Sequence, residues 1–282
     1  MKNFKTSLLI VSGIIICLSS CTRNIVKPGI TDNSVIAVVP PMDSVTRDSS
    51  FIIEKRSSTS GKYIYLTIDD APLNGSRYID SIISATKVKT SIFMVGSPIH
   101  GSNKFKNYHE RLKKNRYIEL YNHSYSHANH RYAGYYKKPE QVVSDFDKNM
   151  EEFDLHHYIA RLPGRNLWQL GERRKNHRQT GSEAAKLLAE KGYKIFGWDI
   201  EWKYDHKDNS PQQTIDELIE EINSLYNASG AFTQNHIVLL MHDQMFGKIN
   251  EKNDLCKLIE KLKEHDYTFE YLSNYPELSN DN

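Results

Sequence analysis

From Tyr63 onward the sequence alternates short apolar, β-branched runs with stretches whose apolar residues recur at helical spacing. That alternation restricts the fold more than any other feature of the chain. Residues 63–68 (Tyr-Ile-Tyr-Leu-Thr-Ile) read as a strand, and Tyr78, Ile79, Ile82 and Ile83 then share one helix face. Residues 90–95 read as strand, 105–112 as helix, 117–121 as strand and 139–153 as helix, with Pro139 in its first turn. A short strand at 158–160 precedes a helix over 182–191 that Gly192 stops. Residues 194–200 read as strand, and 211–226 as an amphipathic helix with Ile215, Leu218, Ile219, Ile222 and Leu225 on one face. The run 237–241 has the continuous apolar character of a buried parallel strand. A helix over 255–262 and a strand over 267–272 complete the series. Seven strands with a helix between most neighbours predict a parallel α/β sheet covered by helices, closed into a barrel or doubly wound. The chain has no internal repeat.

Such sheets place chemistry at the C-terminal ends of their strands. Asp69-Asp70 follow the first strand, His123-Ser-Tyr-Ser-His127 the third, and Arg161-Leu162-Pro163 the fourth. Asp199 and Glu201 end the fifth, and His242-Asp243 the sixth. Each signal alone has a plain structural reading, as a turn pair, a helix cap or a satisfied histidine. Ionisable groups at five strand ends of one rim are not explained by core packing. Alternation turns Asp69 and Asp70 to opposite faces, which predicts different jobs for them. Histidines at i and i+4 can face one ion from successive turns of a helical segment, and one carboxylate completes a three-ligand set with a position left for water. A second carboxylate can then act as base and a histidine opposite as acid.

The N-terminus is built differently. The chain has 282 residues and a formal net charge of +2. Residues 1–21 carry Lys2 and Lys5 and no acidic group, so the remainder is balanced. That balance excludes a polybasic nucleic-acid binder. An apolar run over 8–18 follows, too short to span a bilayer, which needs about 20 residues. It reads as the core of a secretory signal. Leu18-Ser19-Ser20-Cys21 resembles the bacterial lipobox, which implies diacylglycerol on Cys21; an ordinary cleaved signal is the alternative. Residues 22–61 are rich in Ser, Thr, Pro and Asp and read as a tether, with short strands conceivable at 35–39 and 51–53. Residues 62–282 are expected to form a single domain. Three cysteines in all exclude a disulfide scaffold, and Cys256 is expected as a small core residue.

The order of the polar motifs resembles the NodB-homology polysaccharide deacetylases, carbohydrate esterase family 4 (CE4), from about Lys62 to Leu272. Thr67-Ile68-Asp69-Asp70-Ala71-Pro72 is similar to the family's Thr-Phe-Asp-Asp-Gly-Pro, and residues 90–96 to the strand that follows. Asn122-His123-Ser124-Tyr125-Ser126-His127 matches Asn-His-Ser/Thr-x-x-His without change. Arg161-Leu162-Pro163, Trp198-Asp199-Ile200-Glu201 and Leu239-Leu240-Met241-His242-Asp243 resemble the third to fifth motifs. The resemblance implies a distorted (β/α)7 barrel and one divalent metal, zinc first, with cobalt or nickel as alternatives. It implies Asp70, His123 and His127 as ligands, Asp69 as general base, Arg161 as its partner and His242 as acid. Metal-activated water would attack the acetyl carbonyl, and a backbone N–H after Pro163, at Gly164, would face the oxyanion. Leu240 would line the acetyl-methyl pocket, and Trp198 belongs either to the groove or to the core.

Three positions depart from the family pattern. Gly164-Arg165 stands where Pro is followed by an aromatic and Gly, which removes an aromatic groove wall. Glu201 stands where Asp is usual, so either Glu201 or Asp199 tunes His242. Ala71 replaces a glycine, which matters only if the backbone there needs a positive φ. After the third motif, Arg165, Arg173, Arg174, Lys175, His177 and Arg178, with Trp168, form either a solvated loop or a rim for an acidic glycan.

The function expected is removal of N-acetyl groups from N-acetylhexosamine units of a polysaccharide. A monomer lipid-anchored in the bacterial envelope would carry it out, with no nucleic-acid partner. The alternatives are an O-acetyl esterase of acetylxylan type and a non-catalytic glycan-binding lipoprotein.

Overall fold

A computed structural model of the chain describes residues 61–248 and 252–276. The expected signal and tether, with Cys21 and the segments 35–39 and 51–53, lie outside the described residues. In chain order the elements are β1 (Lys62–Ala71), α1 (Ser76–Thr86), β2 (Thr90–Met94), α2 (Ser97–His100), α3 (Asn103–Lys114), β3 (Ile118–Asn122), α4 (Tyr132–Tyr135), α5 (Pro139–Glu152), β4 (Ile159–Ala160), β5 (Trp168–Leu170), β6 (Arg173–Lys175), α6 (Ser182–Glu190), β7 (Lys194–Ile195), β8 (Ile200–Glu201), α7 (Ile215–Asn227), β9 (His236–His242), α8 (Lys252–Glu264) and β10 (Tyr267–Phe269).

The expected α/β class is what forms. β8-β9-β1-β2-β3-β4-β7 lie side by side in one sheet, every neighbouring pair parallel. β10 pairs in parallel with the start of β1, and the sheet curls as a distorted, incompletely closed barrel. Alternation along β1 sorts the core into two layers. Ile64, Leu66 and Ile68 pack under the helices with Ile79, Ile83, Leu218, Ile222, Leu258 and Leu262. Tyr65 turns the other way, into a cluster with Phe93, Tyr121, Trp168, Phe196 and Val238. Truncating a fully buried member such as Ile68 to Ala would cost about 2–5 kcal/mol.

Four expectations change in detail. The strand expected at 194–200 is two short strands. Phe196 N–H donates to Ala160 O at 2.9 Å and Asp199 N–H to Val238 O at 2.9 Å, so this stretch leaves one end of the parallel run and joins the other. Gly197 sits in the crossing, where a Cβ would stand 2.2 Å from Asn166 Oδ1 and 2.4 Å from Trp168 Nε1. The helix expected from residue 211 begins at Ile215, because Pro211 bridges to Tyr204 and Thr214 with Glu217 forms a capping box. The basic stretch holds an antiparallel hairpin, β5–β6, closed by Gly171-Glu172. Cys256 is half-buried, one position off the apolar face of Leu255, Leu258, Ile259 and Leu262, so it is not a core residue.

Candidate metal centre and active site

β1 ends in an irregularity that decides how its two carboxylates are used. Its register against β2 shifts between Ile68 and Ala71, and Asp70 takes φ 68°. This left-handed step interrupts alternation, so the two carboxylates converge instead of facing apart. Asp69 Oδ2 and Asp70 Oδ1 lie 3.5 and 3.6 Å from the same atom, His123 Nε2. The positive φ falls on Asp70 and not on Ala71, so Ala in place of Gly is accommodated.

The two histidines are not on a helix, contrary to the spacing argument. Ser124 has φ 67°, and a 3-10 turn begins only at His127. Side chains divert the main chain. Asn122 Oδ1 accepts Ser124 N–H at 3.0 Å, and Asp145 Oδ2 accepts from Ser126 N at 3.2 Å, Ser126 Oγ at 2.9 Å and Tyr135 OH at 2.8 Å. The resulting loop aims His127 Nε2 to 3.0 Å from Asp70 Oδ1. His123 Nδ1 lies 2.8 Å from the carbonyl oxygen of Arg161. A carbonyl only accepts, so Nδ1 carries the hydrogen and Nε2 presents its lone pair. Burial pushes the His123 pKa down to about 3, which keeps the ring neutral.

The donor atoms of Asp70, His123 and His127 lie within 4.8 Å of one another. Asp70 Oδ1 is buried with no hydrogen-bond donor in suitable geometry. Two imidazoles and a carboxylate with one orphaned oxygen fit a divalent ion with three protein ligands. Burial alone would raise the Asp70 pKa, but the adjacent His127, through its contact and its charge, pulls it below the ordinary carboxylate range. The group is therefore ionised, as a ligand must be.

Arg161 lies wholly inside the protein. Nη1 donates to Asp69 Oδ1 at 2.7 Å and to Thr67 Oγ1 at 2.9 Å, Nη2 to Gly197 O at 2.8 Å, and Nε to Phe196 O at 3.2 Å. Its guanidinium carbon lies 4.2 Å from the Phe93 ring centroid and 5.8 Å from that of Trp198. Burial raises the Asp69 pKa, and Arg161 and His242 pull against it. Asp69 is therefore a better base than a solvated carboxylate, but one whose anion has a fixed partner.

His242 is the register partner of Asp69 across β1 and β9, and Tyr204 packs beside it at a centroid separation of 5.0 Å. Burial lowers its pKa, with Asp69 and Asp70 opposing. Its Nδ1 is buried and has no hydrogen-bond partner among the described residues. Neither expected tuning carboxylate reaches it by a hydrogen bond. Asp199 accepts Phe232 N–H at 2.7 Å and Val238 N–H at 2.9 Å, so both its oxygens serve the backbone. Glu201 is the register partner of Leu240, which is 2% exposed, and burial raises its pKa, with Lys203 opposing and Asp69 adding. Pro163 O accepts Tyr136 OH at 2.7 Å. Gly164 has φ 63°, and no acceptor among the described residues takes its N–H. Trp198 exchanges backbone hydrogen bonds with the Asn166 side chain.

The basic stretch is largely occupied with structure. Arg173 donates to Phe232 O at 2.6 Å and to Thr233 Oγ1 at 3.0 Å, and it stacks on the Phe232 ring. Arg165 holds Thr180 and Gly164 O, and His177 lies 2.8 Å from Trp168 O. Trp168 is fully buried. Arg174, Lys175 and Arg178 are exposed.

Two residues at the site carried no sequence signal, Tyr204 and Gln244. A third, Asp243, was visible only as the neighbour of His242. Asp243 accepts Gly75 N–H at 2.7 Å and the Ser76 hydroxyl, so it caps α1, whose own N-cap is a glycine. A Cβ on Gly75 would stand 1.9 Å from Asp243 O.

Residues 56–158 match the family profile described as polysaccharide deacetylase. No curated protein matches the sequence. Among solved structures, a CE4 esterase from Streptococcus mutans is similar with a TM-score of 0.57 and 22% identity, over 76% of this chain and 87% of that one. A CE4 family pseudoenzyme from Bacillus anthracis has a TM-score of 0.54 and 18% identity, over 76% and 65%. The peptidoglycan deacetylase PdaC from Bacillus subtilis has a TM-score of 0.52 and 16% identity, over 76% and 90%. At these identities the structural likeness is one of fold.

Proposed function

Starting from a chain of the NodB-homology polysaccharide deacetylase type, CE4, we propose that it hydrolyses N-acetyl groups on N-acetylhexosamine units of a cell-envelope or environmental polysaccharide. The observation that carries the reading is the Asp70, His123 and His127 cluster, whose donor atoms lie within 4.8 Å beside an independent, Arg-paired carboxylate. A divalent ion bound there, zinc with cobalt or nickel as alternatives, would polarise the acetyl carbonyl and lower the pKa of water.

The chain's own groups cover the remaining steps. Amide hydrolysis adds hydroxyl to the carbonyl carbon and a proton to the departing nitrogen. Asp69 receives the proton that water gives up, and its raised pKa makes it a more effective acceptor. Arg161 keeps Asp69 aligned through the 2.7 Å contact. His242, on the neighbouring strand, delivers a proton to the amine. An imidazolium whose pKa is held down by burial is a stronger acid, which suits a poor leaving group. The unclaimed Gly164 N–H is a donor for the oxyanion. Leu240 lies two residues before His242 on the same strand and offers an apolar wall for the acetyl methyl group.

Acetate release from peptidoglycan, chitin oligomers and acetylxylan with defined metals tests this reading. Asp70→Ala and Asp69→Asn should each abolish release, and wild-type rates in both would overturn the assignment. Release from acetylxylan alone would move the activity to O-acetyl esters. Glycan binding by metal-free protein with no acetate release would favour the non-catalytic alternative. The same proposal attaches the chain, as a monomer, to the bacterial envelope through a lipid on Cys21. A Cys21→Ala variant that still partitions wholly into detergent would remove that part.

A further inference from the structure

Beyond the three metal-facing side chains, the geometry points to Gln244 as a positioning residue that makes Asp70 bind metal through one oxygen, with Tyr204 as its anchor. The inference rests on the reading of Asp70, His123 and His127 as a metal centre.

Gln244 lies in the short turn that follows β9, and Tyr204 lies in the loop that follows β8. Gln244 Nε2 is 3.1 Å from Asp70 Oδ2 and 2.7 Å from the Tyr204 hydroxyl oxygen. An ionised carboxylate only accepts hydrogen bonds, so the amide must present its nitrogen to Asp70. An NH₂ group has two hydrogens, and these two contacts use both. Tyr204 is 9% exposed, and its ring is packed against His242 and His206. The anchor is therefore fixed on its other sides as well.

The two oxygens of Asp70 have separate partners. Oδ1 faces His127 at 3.0 Å and His123 at 3.6 Å. Oδ2 is held away from them by Gln244. A carboxylate without that second contact is free to turn about its last bond and offer both oxygens to one ion. Two-oxygen binding would fill the position that a catalytic ion keeps for water and substrate. Gln244 Oε1 is itself buried with no partner. An amide placed for its own hydrogen bonding would satisfy that oxygen, whereas one that serves Asp70 accepts the loss. Partners of this kind, outside the ligand set, commonly alter metal affinity by about 10–100-fold.

The test is a metal titration of the full chain by competition with a chromophoric chelator, using zinc and cobalt, together with the visible spectrum of the cobalt form. Wild type, Asp70→Ala, Gln244→Leu and Tyr204→Phe are compared, and thermal melting in excess chelator checks the fold. Wild type should bind one ion and Asp70→Ala should lose it. Gln244→Leu should bind about 10–100-fold more weakly, with a weaker cobalt band as the ion gains a ligand oxygen. Tyr204→Phe, which removes one oxygen atom, should show a smaller loss in the same direction. Should Gln244→Leu not fold, the Tyr204→Phe affinity and spectrum decide the question. Failure of wild type to bind, or unchanged binding in Asp70→Ala, overturns the metal centre itself. Normal behaviour of those two with unchanged affinity and spectrum in Gln244→Leu or, failing that, Tyr204→Phe overturns only the role of Gln244.

Discussion

The carbonyl oxygen of Arg161 lies 2.8 Å from His123 Nδ1, while Nη1 of the same residue lies 2.7 Å from Asp69 Oδ1. One buried residue thus sets the tautomer of His123, a proposed metal ligand, through its main chain and the direction of Asp69, the proposed base, through its side chain. Only the second of these depends on the residue being arginine.

Substitution at Arg161 should therefore remove the base's alignment and leave His123 oriented. Arg161→Met strands Asp69 as an unpaired buried carboxylate, and breaking a buried pair in this way costs about 3–5 kcal/mol. Arg161→Lys cannot reach four acceptors from one ammonium and should be almost as damaging. Urea unfolding of both variants, beside acetate release, checks this. A wild-type midpoint for Arg161→Met would contradict it.

The pH dependence of activity carries a sign. Burial raises the Asp69 pKa even though Arg161 and His242 oppose it. The base must be ionised to accept a proton, so kcat/KM should rise with pH through an acid limb above the ordinary aspartate value of about 4. A profile whose acid limb lies at or below that value would count against Asp69 as the base.

Asp243 should matter to stability. Losing its contacts leaves Gly75 N–H and the Ser76 hydroxyl unsatisfied inside the protein, at a cost of about 1–3 kcal/mol for Asp243→Ala. Burial pushes its pKa up to about 6. The folded state then holds this proton more tightly than the unfolded chain. Its contribution to stability is complete below about pH 4 and is lost as pH rises to about 6, a swing of about 3 kcal/mol. Chemical denaturation from pH 4 to 7 should show a flatter profile for Asp243→Asn than for wild type. Equal slopes would refute the assignment.

Gly75→Ala is a small change that should have a large effect. The new methyl would stand 1.9 Å from the Asp243 main-chain oxygen, which is not a flexible group that can move aside. Overpacking of this kind costs about 1–3 kcal/mol or more and shifts the loop after Asp70. Thermal melting and acetate release should both fall, whereas Gly134→Ala, with open space around it, should leave both unchanged.

Asp199 and Glu201 separate by what they touch. Asp199→Asn leaves one of two backbone N–H groups without its acceptor and should reduce stability by about 1–2 kcal/mol with an unchanged pH profile. Glu201→Gln removes a charge near Asp69 and should move the acid limb of kcat/KM to lower pH. A shifted profile in Asp199→Asn alone would reverse the two roles.

Much of this arrangement can be read from the amino-acid order. Strand runs followed at once by Asp69, Asp70, His123, Arg161 and His242 placed these groups at one rim, because a parallel sheet orients all its strand ends alike. The convergence of Asp69 with Asp70 could not be read. It depends on a register shift and a left-handed φ that contradict strict alternation. The loop of His123 and His127 resembled a helix by spacing alone. Asp145, 19 residues from Ser126, captures its backbone, and one-dimensional periodicity does not include such a contact. Gln244 and Tyr204 are 40 residues apart and carry no motif, so only folding brings them together. Two signals were present and outweighed. Thr214 and Glu217 have capping-box spacing, and Gly171-Glu172 is a two-residue hairpin turn hidden by the surrounding charge.

The crossing between β7 and β8 has a mechanical consequence. Two of the four acceptors of Arg161 are the carbonyls of Phe196 and Gly197, which lie where the chain steps from one end of the parallel run to the other. The seam of the barrel is thus buttoned by the same guanidinium that steers Asp69. Parting of that seam would slacken the grip on Asp69, because the same guanidinium holds both. Under the proposed function, catalysis depends on closure at this point, so warming should abolish acetate release at a lower temperature than the one that melts the strands.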